Sequence, residues 1–199
     1  MITETVRVEA FSDGVYAIAI TLLILEIKVP IPSAAPLSIQ LMRQWPSFVS
    51  FVIRFAFIGV MWINHHRMFT HIRRSDNGLL VLNLLLLFGV TAVPFPTAVL
   101  AAHLGQAGQR TATLLFDGTF ILIAVFFNLL WRYASSPHRH LLAHDVDADA
   151  VARISRMYSF GPLPYLICFA LAWVSVPASL VAERGAGRVL RAAAYRNAA

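Results

Sequence analysis

The stretch Asp13-Gly-Val-Tyr-Ala-Ile18-Ala-Ile-Thr21-Leu-Leu-Ile-Leu25-Glu26 decides the fold. Twelve uncharged residues, Gly14 to Leu25, lie between two carboxylates. At about 1.5 Å per residue they cover about 18 Å, against about 30 Å for the hydrocarbon core of a bilayer. Asp13 and Glu26 must therefore lie near or inside the apolar slab. The spacing predicts a helix from about Thr3 to Val29, closed by Pro30 and Pro32. A helix of this kind belongs inside a bundle or beside a water-filled path, because ionisable groups facing lipid are expensive.

The rest of the chain asks for the same solvent. Of its 199 residues, 58% are hydrophobic and 13% charged, with mean hydropathy +0.69. A soluble domain carries about 25% charged residues. So few charges cannot cover a water-facing surface, and helices satisfy the backbone in lipid. The fold class is an all-α polytopic transmembrane helical bundle, one domain over residues 1–199, with no internal repeat. Further spans are expected at Trp45–His66, with Arg54 in its middle, and at about Gly78–Ala102, with Asn83 and a Pro94-Phe95-Pro96 kink. A fourth runs from about Thr111 to Tyr133 with Asp117 and Asn128 inside it, followed by a polar connector, His138 to Asp149. Tyr158 to Ala182 is a fifth apolar run broken by Pro162, Pro164 and Pro177. Residues 183–199 are a basic tail or a degenerate sixth helix.

The net charge of +6 and pI near 10.2 point to nucleic acid only until the charges are placed. Fifteen of the sixteen basic residues are Arg, and most sit in short segments between apolar runs. That is the pattern of loops facing a cytoplasm, not the clustered footprint of a nucleic-acid binder. Arg67, Arg73 and Arg74, with Arg132, Arg139, Arg153 and Arg156, outweigh Lys28, Arg43 and Arg110 on the other side. The N-terminus is therefore expected in the cytoplasm. Five spans would leave Arg184, Arg188, Arg191 and Arg196 outside, whereas an even count would bring them in. The lone Cys168 can form no internal disulfide, and no cleavable signal peptide is evident.

On a helical wheel of the first span, Phe11, Gly14, Ile18, Thr21, Leu22 and Leu25 share one face. Ala10, Asp13, Ala17, Ile20 and Ile24 share another. The stripe fits ordinary packing, or a symmetric pore with apolar constrictions at Ile18 and Leu25 that gate by dewetting and a hydroxyl ring at Thr21. Periodicity does not choose between the two.

Polar residues inside the slab need partners. Arg54 is expected to pair with Glu26 or Asp117. Ser12, Asp13, Asn64, His65, His66, Asn83 and Asn128 form an inner group that reads first as interhelical glue and second as a proton relay or pH sensor. A metal enzyme fits worst. His65 and His66 are adjacent, about 100° apart on a helix, unlike the i, i+4 pair of a zinc helix. No Ser or Cys has a base beside it. His138, His140 and His144 with Asp145, Asp147 and Asp149 form a solvated connector before they form a metal site.

Several motifs carry a resemblance. Arg7-Val-Glu-Ala-Phe11-Ser12-Asp13, then Trp62-Ile-Asn64-His65-His66-Arg-Met-Phe69, then Asn83-Leu-Leu-Leu-Leu-Phe88 and Pro94-Phe-Pro96-Thr97 resemble, in order, the transmembrane protein 175 family of potassium channels. The likeness is good from Arg7 to about Tyr133. It implies a homotetramer of six-span subunits around the first span, in a bacterial plasma membrane, with no conventional filter loop and no cofactor, conducting K+. By the same resemblance Ile18 and Leu25 are constrictions, and Thr21, Leu22 and Gly14 line the pore near them. Arg7, Asp13, Trp62 and His65 or His66 belong to a network that holds the first span. No catalysis and no nucleic acid are expected. The rival is a proton-coupled secondary transporter using Asp13 and the His65/His66 cluster, although no inverted repeat is visible.

Overall fold

A computed structural model describes residues 3–143, 146–174 and 182. Strand β1 (Thr3–Glu4) leads into α1 (Val6–Leu22), which tightens into a 3-10 turn, Leu23–Glu26. After an extended segment come α2 (Leu37–Arg43), α3 (Trp45–Phe69) and β2 (Arg74–Ser75). They are followed by α4 (Asn77–Ala92), α5 (Pro94–His103) and α6 (Gln109–Ala134), then α7 (Ala148–Phe160) and α8 (Pro162–Val174). Among the described residues, four stretches are long and apolar enough to cross a membrane: Val6–Glu26, Trp45–Phe69, Asn77–His103 and Gln109–Ala134. The protein is a multi-pass helical membrane bundle.

Proline and capping chemistry set the boundaries. Pro46, Pro94 and Pro162 stand at helix starts, where a missing N–H costs nothing. Pro94 also divides the third span into α4 and α5, as its ring prevents the regular ladder from continuing. Asp76 caps α4, its Oδ1 accepting from the Leu79 amide at 2.8 Å. Gly78 is needed for close approach, because a Cβ there would lie 1.9 Å from the Tyr133 hydroxyl.

Helix α6 is the hub, packing against α4, α5, α7 and α8, while α1 packs on α3 and α4. Leu86, Val90, Phe120, Ile123, Leu130 and Trp131 form the shared interior.

Four features differ from the expectation. The first helix begins at Val6, not Thr3, because Thr3–Glu4 pairs antiparallel with Arg74–Ser75. Thr5 adds a hydroxyl bond to the Ile72 carbonyl at 3.0 Å. The same helix ends at Glu26 rather than Val29, after the 3-10 turn. Third, α2 appears where only a loop was expected, too short for periodicity to reveal. The fifth apolar run divides at Gly161 into the end of α7 and the 13-residue α8. Pro177 and the tail or sixth helix, residues 183–199, lie outside the described residues, as do His144 and Asp145.

Candidate functional site

Two faces of α1 meet different surroundings. Val8, Ser12, Tyr16, Ala19 and Leu23 are buried against α3 and α4. The other face, carrying Phe11, Gly14, Ile18, Thr21, Leu22 and Leu25, is exposed, with nothing covering it among the described residues. Ile18 is 60% exposed, Leu22 53% and Leu25 74%, far more than large apolar side chains tolerate in a finished soluble surface. A Cβ on Gly14 would meet no atom within 4 Å. A helical glycine costs about 1 kcal/mol relative to alanine, and no neighbour among the described residues requires it.

The 3-10 turn changes the register of this face. In such a turn residues i and i+3 eclipse, so Leu25 stands almost directly above Leu22. The Thr21 hydroxyl donates to the Ile18 carbonyl at 3.1 Å. Its one proton is thereby committed inward, and its oxygen lone pairs remain for an outside ligand.

The buried face is fixed by polar bonds of defined direction. Ser12 Oγ donates to the Val8 carbonyl at 2.8 Å, so toward α4 it accepts from Asn83 Nδ2, at 2.9 Å. That places Asn83 Oδ1 on His65 Nε2, 2.8 Å away, and His65 must donate there. The chain thus runs from α3 through α4 into α1. His65 is 1% exposed, with Phe69 stacked on its ring at 4.4 Å and Tyr16 tilted against it at 5.4 Å. Beside it, Trp62 Nε1 donates to Asp13 Oδ1 at 2.8 Å, and His66 stacks on Trp62 at 5.8 Å. A single residue step along α3, about 100° of rotation, therefore separates a buried histidine from an exposed one.

Other sequence-derived candidates sort differently. Arg54 forms its ion pair with Glu26, one of its two expected partners, tying the 3-10 turn to α3. Asp117 is buried on α6. Arg7 is exposed. Asn128 leaves the inner group: its Nδ2 donates to the Tyr158 carbonyl at 2.7 Å, joining α6 to α7. Asn64 contributes its carbonyl, which accepts from the Tyr158 hydroxyl at 3.3 Å. Tyr16 and Phe69, which wall the histidine, went unnoticed in the sequence because apolar aromatics in a span are unremarkable there. Among the described residues no group of three His, Cys, Asp or Glu side chains converges.

Comparison with known proteins bears on the family of the chain. The family described as endosomal/lysosomal potassium channel TMEM175 matches residues 7–94. A potassium channel of Chamaesiphon minutus is 49% identical over 177 residues, covering 87% of each chain. A potassium channel of Streptomyces collinus is 43% identical over 182 residues, 90% of this chain and 88% of that one. The crystal structure of a lysosomal potassium-selective channel TMEM175 homolog from Chamaesiphon minutus superposes with TM-score 0.79 at 43% identity, covering 96% of this chain and 97% of the other.

Proposed function

Because this chain belongs to the TMEM175 family, we propose that it is one subunit of a passive, potassium-selective channel whose pore is lined by α1. The observation that carries the reading is the bare apolar face of α1, opposite the face held by Ser12, Asn83 and His65. Four copies of a six-span subunit around one axis would bring that face together and remove it from contact with anything but permeating ions and water. Ile18 and Leu25 then form apolar rings that close the path by dewetting, with Leu22 one layer below Leu25 and Gly14 leaving room at the inner mouth. Thr21 lies between the rings, about 4.5 Å above Ile18 along the axis. Its outward lone pairs offer a dehydrating K+ oxygen ligands, while its proton stays on the Ile18 carbonyl.

The buried polar chain and the Trp62–Asp13 bond hold α1 at fixed rotation, so the rings face the axis. Conduction makes and breaks no covalent bond, and this reading gives the chain no catalytic residue and no cofactor. The excess of arginine in two of its loops supports an N-terminus on the cytoplasmic side of a bacterial plasma membrane.

The proton-coupled alternative fits the geometry less well. The polar chain from His65 ends on the Val8 carbonyl, which accepts a hydrogen bond but relays no proton.

The test is reversal potential in liposomes holding purified protein, with potassium and sodium on opposite sides. Current should reverse near the potassium equilibrium potential, and Ile18→Asn should raise basal conductance about tenfold or more by wetting the ring. An intact tetramer that passes no current in either form would overturn the channel reading.

A further inference from the structure

Two cavities join end to end on the flank of the bundle away from α1. The first, about 120 Å³, is an apolar crevice between α3, α6 and α8, walled by Phe57, Phe120, Ile123, Phe127 and Tyr165. One water needs only about 15 Å³, so the crevice accepts a chain of methylenes. The second, about 620 Å³, is a cup at the end of α3 and beneath α7, lined by Arg67, Thr70, His71 and Arg153. Asn64, Met157 and Tyr158 line both, so the crevice opens into the cup.

We propose that this joined site binds one anionic phospholipid, its phosphate in the basic cup and one acyl chain in the crevice. The dimensions agree. Phe57 and Arg67 lie ten residues apart on α3, about 15 Å along the axis, which is half the roughly 30 Å hydrocarbon core. A chain of one leaflet therefore runs the crevice while its headgroup meets the guanidinium groups at the surface. Basic pockets between spans suit anionic headgroups for this reason. The amide of Asn64 supplies a neutral donor for the remaining headgroup oxygens, whereas the Thr70 hydroxyl, its proton on the Arg67 carbonyl at 2.7 Å, is left to accept from a headgroup hydroxyl.

Charge decides among occupants. Residues 175–199 carry four arginines, Arg184, Arg188, Arg191 and Arg196, against one acid, Glu183, so their charge has the same sign as the cup's and does not complement it. A soluble phosphate would fill the cup and leave the crevice unused, whereas a phospholipid occupies both.

Native mass spectrometry of the full-length protein tests the proposal independently of ion flux, so its failure leaves the channel reading standing. Dioleoyl phosphatidylglycerol, dioleoyl phosphatidylcholine and glycerophosphoglycerol would be titrated separately. The anionic lipid should be retained about twenty-fivefold better than the zwitterionic one, with each of the two guanidinium groups contributing about fivefold. Arg67→Gln with Arg153→Gln should erase that preference, and Arg153→Lys should keep most of it. Ala124→Leu, which fills the crevice from α6, should weaken lipid retention without changing binding of the chainless headgroup. Thermal melts identify a variant that has merely lost its fold, and Arg153→Lys then decides. Equal retention of the two lipids would overturn the proposal. So would glycerophosphoglycerol binding as tightly as the lipid, or Arg67→Gln with Arg153→Gln changing only the oligomeric state, which would assign the cup to a neighbouring copy.

Discussion

At the scale of single residues, Asn83 has the most to do, since one amide bonds both His65 and Ser12. Asn83→Leu keeps the volume but strands the His65 N–H. Interhelical hydrogen bonds in membranes contribute about 0.6–1.7 kcal/mol, and a buried orphan donor costs about 1–3 kcal/mol. The variant should therefore unfold at about 1–3 kcal/mol lower stability in denaturant titrations in mixed micelles, and a loss under about 0.5 kcal/mol would mean the bonds are incidental. Thr21→Ala removes the oxygen whose lone pairs face outward. Reversal potentials should then show weaker discrimination of potassium over sodium, and an unchanged value would take Thr21 out of the selectivity argument. Arg54 and Glu26 make a third case, because both sit at membrane depth and answer each other. Arg54→Glu alone should abolish oligomer recovery, and adding Glu26→Arg should restore it. A double variant as poor as the single one would show that the ion pair is not the stabilising contact.

At the scale of elements, the start of α4 depends on Asp76. Burial pushes its carboxyl up, but the Leu79 amide, the Tyr133 hydroxyl and the Arg139 guanidinium outweigh that and hold it below the usual carboxylate value. Arg139 also lies over the Tyr133 ring and donates to its hydroxyl, closing a small cluster where α4, α6 and the connector meet. A depressed folded-state value means the contribution is present above the ordinary carboxylate pKa of about 4 and fades as pH falls below it. Asp76→Ala should cost about 1 kcal/mol at neutral pH. Melts at pH 7 and pH 3 should show a smaller acid-induced loss in the variant than in the parent, and equal losses would remove Asp76 as the source. The 3-10 turn at the end of α1 is the second local device. It exists where Glu26 is drawn to Arg54, and it sets Leu25 above Leu22.

At the scale of the whole molecule, the exposed stripe on α1 has two environments to choose from, lipid or water. Cysteine replacements distinguish them, because a water-soluble methanethiosulfonate reagent needs a hydrated thiolate. The native Cys168 is buried and gives a silent background. With the protein in membranes, Thr21→Cys and Gly14→Cys should react, whereas Ala19→Cys, on the face packed against α3 and α4, should not. An unreactive Thr21→Cys in a conducting protein would place the stripe against lipid and move the pore elsewhere.

The sequence alone determined that the protein lives in a bilayer, where its main spans run, and which residues share the stripe on α1. Those follow from composition and from the 3.6-residue period, which are local properties. It also limited Arg54 to two partners, through the cost of an unpaired charge in the slab. Which of the two it took, and that Asn83 rather than Asp13 bridges to His65, depended on how far apart helices distant in sequence come to rest. The same holds for Asn128, which joined α7 and not the inner group, and for the N-terminal strand, whose partner lies some seventy residues away. The crevice and cup had no signature at all, because cavities arise from what three helices leave unfilled between them. Periodicity reports the face a residue occupies on its own helix, and only packing decides what that face meets.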